Sequence, residues 1–575
     1  MTDYLIKILG GDSIIPHNIY NEMENVLQKS LRSLLEYSHK KYKDNKFLQF
    51  IDGPGYTFGP FYDKVKEIAT TLAKYGIKKG DRVGLVSQNM PNWGVAYFAS
   101  TAFGSISVPM LPDFSESEIK HILKHSEAKA LFVSKRLFAK IKQKAIDRLS
   151  LIISIDDWSI LKGEKVENPE QLCEENDIKS DELAAIIYTS GTTGSSKGVM
   201  LSHKNLCSNL YSAQELRPSY EWDKWLSILP LSHTLEQSLS LLLPMLAGSQ
   251  VFYMEKNPSP TILLKSMQQV KPTTMLSVPL IIEKVYRSAV LPKFTKNKVM
   301  RTVYSFPPTR KLLNRVAGKK LMEQFGGNIR FFGIGGAKLD SNVEKFLIEA
   351  KFPYAIGYGL TETSPLIAGA IPSMVRHGST GPIVHGVTAK LLDKNEEGVG
   401  EIVVKGDNVM QGYYKNPEAT SAAFTEDGYF RTKDLGCFDK DGWLYIKGRA
   451  STTIIGPSGE NIYPEDIETI INSHEFVSES LVTKRKGKLT ALVHFDTEKL
   501  KSWWDSTTNE WKQEYKEKVE NLKKEILDYV NEKVSKFSKV SEIDEQKEEF
   551  EKTATKKIKR FLYTKDEDSD INRKS

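Results

Sequence analysis

The chain has 575 residues, of which 40% are hydrophobic and 27% are charged. This composition is typical of a globular protein, and the length exceeds what one hydrophobic core supports, so two or more domains are expected. The 80 Lys and Arg exceed the 73 Asp and Glu by a net charge of only +7, which argues against a dedicated nucleic-acid-binding protein.

Cysteine usage and hydropathy point to a cytoplasmic protein. Cys173, Cys207 and Cys437 have no metal-ligand spacing, and three cysteines cannot all pair in disulfides, which favours a reducing compartment. No apolar run of about 18 residues predicts a membrane span. The N-terminal sequence "MTDYLIKILGGDSIIP" lacks a basic region before its apolar stretch, so no signal peptide is predicted.

The predicted elements alternate along the first 365 residues. Residues 17–80 read mainly as helix, because "LQKSLRSLLEYSHKKY" has apolar residues three and four apart. Short β-prone runs then alternate with helical ones at 81–89, 128–135, 151–156 and 183–190. Two more strand-to-glycine passages follow, "NIRFFGIGGAKLD" (328–340) and "YAIGYGLTETSP" (354–365). This alternation predicts layered α/β structure with mostly parallel strands.

The amino-acid composition of the sequence changes near residue 380. Frequent glycines and β-branched residues predict a small antiparallel sheet from about 380 to 449. A further α+β stretch follows Arg449, and its apolar residues at helical spacing predict one amphipathic helix: Tyr515, Val519, Leu522, Ile526, Tyr529 and Val530. The charged residues 564–575 are predicted to be a disordered tail.

Residues 186–203, "IIYTSGTTGSSKGVMLSH", pack small polar residues and one lysine behind an apolar run. The spacing differs from the Walker pattern, because Lys197 follows Gly194 by three residues and precedes another glycine. Freed backbone N–H groups, hydroxyls and one cation suit a flexible grip on phosphates. A solvated Gly/Ser turn is an equally good interpretation of this loop alone.

Three other segments carry candidate chemistry. Thr361-Glu362 offers a phosphate contact and a Mg²⁺ ligand, although Thr-Glu pairs are common at helix starts. Asp434 and Arg449 are suited to ribose hydroxyls, although aspartates and glycines in β-rich stretches usually form turns. The basic cluster "FEKTATKKIKR" (550–560) ordinarily indicates a solvated charge run.

Together, and in this order, the segments resemble the acyl-adenylate-forming superfamily of AMP-binding enzymes. "YTSGTTGSSKGV" resembles its phosphate loop, "YGLTETSP" its adenine and magnesium motif, and "GYFRTKDLG" its ribose motif. "GRASTTIIGPSGENIYPEDIE" (448–468) resembles the hinge and the loop after it, and "KTATKKIKR" the motif of the catalytic lysine. The resemblance extends from about residue 25 to 563.

The resemblance implies a fold and domain boundaries. We expect a large N-terminal adenylation domain (1–449) of layered α/β subdomains with the β-rich subdomain at about 380–449. A smaller, mobile α+β domain (450–563) follows it, and it swings about Ser451 between two half-reactions.

The resemblance also implies particular site residues. It implies ATP and coenzyme A as substrates, Mg²⁺ as the metal, and no tightly bound organic cofactor. Lys557, Thr361 and Glu362 are expected to be catalytic, and Glu362 and Thr189 to hold the metal. Ser458, Gly459 and Glu460 belong to the loop on the coenzyme A side. The expected ATP and AMP contacts are Thr189, Ser190, Gly191, Thr192, Thr193, Gly194, Lys197, Gly335, Gly336, Ala337, Tyr358, Gly359, Thr361, Asp434 and Arg449.

Within the superfamily, "LPLSHTLEQ" (229–237) most resembles the long-chain fatty acyl-CoA synthetases, in which a His-x-x-Glu pair lies by the acyl pocket. We therefore predict that His233 and Glu236 gate that pocket; the alternative is a satisfied core pair. The expected reaction is activation of a long-chain fatty acid through acyl-AMP to acyl-CoA. The alternatives are a ligase for another acid or a carrier-protein acceptor, and a non-catalytic binding regulator.

Residues 284–320 contain eleven Lys or Arg and no Asp or Glu, interleaved with aromatic and aliphatic residues. Such a segment favours peripheral contact with anionic membrane at the inner face; an exposed helical insertion is the alternative.

Two positions depart from the family pattern. Lys433 stands where the family has glycine between threonine and aspartate, and Ser451 stands where the hinge usually has lysine or aspartate.

Overall fold

The computed structural model describes residues 17–141, 146–174, 177–189, 196–255, 259–456, 461–485, 487–497, 499–500, 511–553 and 557–564. Within them the strands are β1 Lys46–Phe50, β2 Gly55–Thr57, β3 Arg82–Val86, β4 Ile106–Met110, β5 Ala130–Val133, β6 Leu151–Ser154, β7 Ile160–Lys162, β8 Leu183–Thr189, β9 Lys197–Ser202, β10 Lys224–Ser227, β11 Gln250–Tyr253, β12 Thr274–Ser277, β13 Phe331–Ile334, β14 Tyr354–Gly359, β15 Leu366–Gly369, β16 Gly381–Pro382, β17 Val387–Leu392, β18 Gly400–Gly406, β19 Gly412–Tyr413, β20 Phe430–Phe438, β21 Trp443–Arg449, β22 Ile454–Ile455, β23 Asn461–Ile462, β24 Val477–Arg485, β25 Lys488–Phe495 and β26 Glu542–Glu545.

The α-helices are α1 His17–Leu27, α2 Leu31–Tyr42, α3 Phe58–Lys74, α4 Pro91–Thr101, α5 Glu116–His125, α6 Lys135–Phe138, α7 His203–Leu216, α8 Thr234–Gln237, α9 Leu243–Ala247, α10 Pro260–Val270, α11 Pro279–Val285, α12 Leu291–Thr295, α13 Lys298–Ser305, α14 Pro307–Gln324, α15 Ser341–Ala350, α16 Pro417–Ala422, α17 Pro464–Asn472 and α18 Trp511–Asn531. Wider π-helical turns occupy Ser238–Leu242 and Tyr286–Val290.

Two eight-stranded sheets form the body of the N-terminal domain. One has the order β15-β14-β13-β12-β10-β11-β1-β2, and the other β19-β9-β8-β4-β3-β5-β6-β7. Their central strands are parallel, whereas β2, β15, β7, β9 and β19 pair antiparallel at the edges. Strands such as β5 and β6 are buried along their whole length, as expected of parallel strands covered on both faces. The predicted mixed α/β fold is confirmed.

A five-stranded antiparallel sheet, β16-β21-β20-β18-β17, follows the two large sheets and matches the change in amino-acid composition near residue 380. The smaller C-terminal domain contains the pair β22-β23 and the sheet β24-β25-β26. Helix α18 covers that sheet with Val519, Leu522, Ile526 and Val530, all in one hydrophobic cluster. These are residues of the predicted amphipathic face.

The structure corrects one detail near the N-terminus. The prediction of mainly helix over 17–80 holds for α1, α2 and α3, but the segment between α2 and α3 forms β1 and β2. Strand β1 pairs in parallel with β11, so it joins the first large sheet. A pattern of two buried positions in five residues is too short to be distinguished locally from helix. Among the described helices, none is long and apolar enough to cross a bilayer.

Candidate active site

Tyr358, Asp434 and Arg449 form a network between the first large sheet and the antiparallel sheet, in which Asp434 is buried and the other two are half-buried. Asp434 and Arg449 lie opposite each other on β20 and β21, and Arg449 Nε is 3.1 Å from Asp434 Oδ1. The Tyr358 hydroxyl, at the end of β14, donates to Asp434 Oδ2 at 2.8 Å. Both carboxylate oxygens therefore have a donor, and their remaining lone pairs are available to further hydroxyls.

Burial controls the protonation of this network. Asp434 is 5% exposed, and desolvation raises the pKa of its carboxyl although the guanidinium of Arg449 opposes the shift. Burial raises the pKa of the Tyr358 phenol far above its usual range. The phenol thus stays protonated at neutral pH and serves as a donor.

Glu362 lies in the single turn Thr361–Thr363 that follows β14. The Tyr413 hydroxyl donates to Glu362 Oε1 at 3.0 Å, and the backbone N–H of Met410 donates to the Glu362 carbonyl at 2.8 Å. The turn leaves no space at Gly359, where an added Cβ would lie 1.7 Å from the carbonyl oxygen of Pro365. Only glycine fits there, so the position of the turn relative to β14 is fixed.

The two described ends of the phosphate loop, Thr189 and Lys197, lie on the neighbouring sheet beside this turn. Thr189 at the end of β8 pairs with Lys197 at the start of β9, so the two residues flank the connecting loop. The Lys197 ammonium is 4.9 Å from the ring centroid of Tyr413, whose hydroxyl binds Glu362. The loop residues Ser190, Gly191, Thr192, Thr193 and Gly194 lie outside the described residues, so their predicted phosphate contacts stay predictions.

Lys557 reaches the same place from the C-terminal domain. Its backbone pairs with Thr553 through an N–H···O=C bond of 2.8 Å. The residue is exposed, yet the protein around the ammonium lowers its pKa, first by desolvation and then through the guanidinium of Arg449. Asp434 and Glu362 oppose that shift. Lys557 is therefore within electrostatic reach of both motifs of the N-terminal domain.

The C-terminal segment that carries Lys557 is joined to helix α17. Arg560 forms an ion pair with Glu468 and lies 3.9 Å from Glu465. Desolvation raises the pKa of the Glu468 carboxyl against the opposing effect of Arg560. A further ion pair between Lys338 and Asp466 connects α17 with the N-terminal domain.

The hinge region follows Arg449 directly. Ser451 is exposed, and the next residue, Thr452, donates to Glu465 Oε1 at 2.7 Å. A neutral hydroxyl contact thus lies beside the position where the family has a charged hinge residue. The coenzyme A-side residues Ser458, Gly459 and Glu460 lie outside the described residues.

An apolar pocket, partly open to solvent, lies between α7, α8, the π-helical turn and the first large sheet, and the space in it is about 590 Å³ when the open solvent at its mouth is included. Four glycines shape its sheet side: Gly333, Gly335, Gly357 and Gly369. Gly335 precedes Gly336, which has φ +85°, a conformation favoured by glycine, and Gly357 precedes Tyr358. One end of the pocket therefore lies beside the Tyr358–Asp434–Arg449 network.

His233 and Glu236, predicted to gate an acyl pocket, do not line this apolar pocket, and their gating role stays a prediction. Leu235, between them, lines the pocket. Burial lowers the pKa of the His233 imidazole to about 4, with a further effect of nearby Lys557. Glu236 is fully buried and accepts from the Ser227 hydroxyl at 2.6 Å. Successive residues on a helical turn point in different directions, so one side chain of the three faces the cavity.

Two features of the site escaped the sequence analysis. Tyr413 joins Lys197 and Glu362, but no local pattern distinguishes it within a glycine-rich β stretch. Lys433 has φ +60°, in the left-handed region. That conformation explains why glycine is usual at this family position, and the departure of Lys433 from the pattern could have suggested it.

The chain matches the model of the AMP-binding enzyme family over residues 35–414. It is 29% identical over 474 residues to the long-chain-fatty-acid--CoA ligase FadD15 of Mycobacterium tuberculosis, with 77% of each chain covered. It is 29% identical over 460 residues to 4-coumarate--CoA ligase 1 of Petroselinum crispum, covering 75% of this chain and 77% of that one.

The fold is similar to that of o-succinylbenzoate coenzyme A synthetase (MenE) of Bacillus subtilis in complex with ATP and magnesium ion. The TM-score is 0.73 at 23% identity, with 93% of this chain and 99% of that chain covered. The fold, the meeting of the predicted motifs at one site and the match of the family model over most of the chain lead to one conclusion. The chain belongs to the family of AMP-binding enzymes.

Proposed function

We propose that this chain activates a long-chain fatty acid with ATP through an acyl-AMP intermediate and transfers the acyl group to coenzyme A. The products are acyl-CoA, AMP and pyrophosphate. The observation that carries the proposal is the apolar pocket that ends at Gly335 and Gly357, beside the polar network. An acid in that pocket keeps its alkyl chain out of water while its carboxylate faces the polar residues.

In the first half-reaction, a carboxylate oxygen attacks the α-phosphorus of ATP, and the bond from that phosphorus to the pyrophosphate oxygen breaks. The enzyme's contribution is positioning and charge stabilisation. We assign Lys557 to the charge that develops between the carboxylate and the α-phosphate. The electrostatic effects of Asp434 and Glu362 on the pKa of Lys557 support this position.

The nucleotide is assigned to residues around the Tyr358 network. Asp434 accepts from ribose hydroxyls with the lone pairs left by Tyr358 and Arg449, and Arg449 donates on the same side. The backbone of Gly335, Gly336 and Ala337, with Tyr358 and Gly359, borders the adenine. Thr189, Lys197 and the loop between them are assigned to the phosphates that depart as pyrophosphate, with Thr361 as a further contact.

The residues present fit a magnesium ion. The Tyr413 hydroxyl positions the Glu362 carboxylate beside Lys197, and a single carboxylate suits a Mg²⁺ bound largely by phosphate oxygens and water. Glu362 would hold it, with the Thr189 hydroxyl as a second ligand. When bound, the ion neutralises phosphate charge.

In the second half-reaction, the coenzyme A thiol attacks the acyl carbonyl carbon, the acyl–phosphate bond breaks and AMP leaves. We propose that the C-terminal domain turns about Ser451 before this step. That movement withdraws Lys557 and brings the loop containing Ser458, Gly459 and Glu460 towards the acyl-AMP. The neutral Ser451 and Thr452 leave the stabilisation of each orientation to other contacts, such as Lys338–Asp466.

The second candidate is a ligase for another carboxylic acid, favoured by the similarity to a 4-coumarate--CoA ligase. Pyrophosphate release with ATP and either acetate, 4-coumarate, octanoate or palmitate, before and after coenzyme A is added, separates the candidates. We expect a far higher kcat/KM with palmitate than with acetate. Equal efficiency with acetate would contradict a long-chain substrate, and adenylation without transfer to coenzyme A would indicate a carrier-protein acceptor. A regulator without activity would release no pyrophosphate with any acid.

We also propose loose contact with anionic lipid through helices α13 and α14. Val299 and Phe306 are 71% and 61% exposed, and Leu312 and Val316 on α14 are 63% and 52% exposed. Of the eleven cations in 284–320, Arg287 and Arg310 pair with described carboxylates, and no described ion pair involves the other nine. Exposed apolar residues among unpaired cations fit an anionic bilayer, at about 1 kcal/mol per cation.

Sedimentation with vesicles tests this surface. We expect phosphatidylglycerol vesicles to retain the protein at low salt and phosphatidylcholine vesicles to release it. The triple variant Lys311→Glu, Arg315→Glu, Lys319→Glu should lose retention. Equal sedimentation of this variant and the wild-type protein would exclude the surface.

A further inference from the structure

The end of the apolar pocket that lies away from the nucleotide site is formed by the start of β13 and the end of α7. On the sheet side, the pocket extends from Gly335 to Phe331, a span of roughly 13 Å at the rise of a β-strand. Trp225 on β10 and Arg217, which directly follows α7, complete this end. Among the residues that line the pocket, Arg217 is the one with a charge.

Arg217 lies between the pocket and solvent. Its guanidinium carbon is 5.3 Å from the ring centroid of Phe331, and its side chain is 15% exposed. One face of the side chain thus borders the cavity while part of it reaches water.

Asp223 holds Arg217 in this position. Arg217 Nη1 is 3.2 Å from Asp223 Oδ2, and the Asp223 side chain is fully buried. The same carboxylate accepts from the Thr273 hydroxyl at 2.7 Å and from the Tyr220 backbone N–H at 3.0 Å. Because these contacts fix the carboxylate independently of Arg217, Asp223 holds the guanidinium of Arg217 in one position.

We infer that Arg217 closes the acyl pocket and sets the longest alkyl chain that the pocket takes in without rearrangement. This inference rests on the proposed function, since it assumes that a fatty acid occupies the pocket. A chain longer than the pocket must displace the guanidinium from Phe331 and Asp223 to reach solvent beyond. Arg217 is thus a specificity-determining residue remote from the reacting atoms.

The physical consequence is that affinity should rise with chain length only up to a certain length. We call the length at which the rise stops the break. Each methylene that enters an apolar pocket improves binding by about fourfold. The gain should stop at the chain length at which the terminal methyl group meets Arg217. Removal of the side chain should move the break to longer acids, whereas a merely structural effect would lower the affinity for all acids without moving it.

The experiment measures equilibrium binding and adenylate formation for saturated acids from octanoate to stearate. The test variants are Arg217→Ala and the double variant Arg217→Ala, Asp223→Asn, which removes the unpaired buried charge in case the single variant fails to fold. Arg330→Ala is the matched control, because Arg330 lies 4.5 Å from the ring of exposed Trp222 and does not line the pocket.

We expect the break to move to longer acids in the Arg217 variants, with octanoate affinity changed by less than about fourfold, one methylene equivalent. Arg330→Ala should retain the wild-type break. An unchanged break in the folded double variant overturns the inference. If wild-type protein binds fatty acids but releases no pyrophosphate, the proposed reaction is contradicted. The position of the break in the binding data still tests the role of Arg217 in that case. If it binds no fatty acid, the inference fails as well.

Discussion

The proposed nucleotide site and the proposed acyl pocket meet on strand β14, where Gly357 lines the apolar pocket and the hydroxyl of the next residue, Tyr358, donates to Asp434. The two sides are built by opposite means. The nucleotide side combines charged residues from three sheets and from the C-terminal domain. The pocket side has its space because glycines on one sheet carry no side chains. Substitutions on the polar side should therefore change rates, and substitutions on the apolar side should change selection or stability.

The largest effect, and the largest difference between the two half-reactions, is expected from Lys557→Ala. Because Lys557 meets the site through the C-terminal domain, its loss should slow acyl-adenylate formation by at least about a hundredfold, the scale of one charge-stabilising contact. Supplied with pre-made acyl-AMP and coenzyme A, the variant should form acyl-CoA at close to the normal rate.

Lys559→Ala is the control for Lys557, because Lys559 is a nearby half-buried cation whose ammonium lies 3.5 Å from Glu551. Both half-reactions should remain largely intact in it. Equal loss of both half-reactions in Lys557→Ala would indicate a structural role and contradict domain alternation.

Glu362→Ala tests the metal side of the same network. Loss of the carboxylate should slow pyrophosphate release by about a hundredfold, or about 3 kcal/mol, and alter the magnesium dependence. Tyr413→Phe, which removes the hydroxyl that donates to Glu362, should have a smaller effect with the same sign. An active Glu362→Ala enzyme with unchanged magnesium dependence would place the metal elsewhere.

Glu236→Gln tests the apolar side through stability. Burial raises the pKa of Glu236 to about 8, above its usual range, so the folded state holds a proton that the unfolded state releases. Stability is fully present below the usual glutamate pKa and is lost as pH rises to about 8. At pH 7 the neutral glutamine should therefore be more stable than glutamate, by about 3 kcal/mol.

The measurement for Glu236→Gln is the difference in melting temperature from wild type between pH 5 and pH 8. Ser227→Ala is a useful companion, since it removes the hydroxyl that donates to Glu236 Oε1. A difference that does not change with pH would show that Glu236 does not titrate in the folded protein.

The smallest effect is expected at Lys433. Its φ of +60° is unfavourable for a residue with a Cβ, so Lys433→Gly should stabilise the chain by about 1 kcal/mol or less, offset by the greater freedom of glycine when unfolded. Thermal unfolding measures the change. Loss of ATP affinity in this variant would instead give the Lys433 side chain a role at the ribose.

Local sequence predicted the elements better than the site. Strands β5 and β6 were predictable because buried parallel strands are continuous apolar runs. The ordered motifs also predicted that Glu362, Asp434 and Lys557 act together. Tyr413 and Arg217 could not be predicted, because each matters through partners distant in sequence: Glu362 for the first, and the pocket end at Phe331 for the second.

The ion pairs of Arg560 with α17 bear on how Lys557 moves. Because Arg560 ties the end of the chain to Glu468 and Glu465, the lysine three residues earlier is carried by the same rigid body as the helix after the hinge. If the domain turns as proposed, Lys557 acts as the tip of a lever with its fulcrum near Ser451. A small rotation at Ser451 therefore displaces the Lys557 ammonium by a long distance. The same rotation that withdraws Lys557 brings the opposite face of the C-terminal domain to the site.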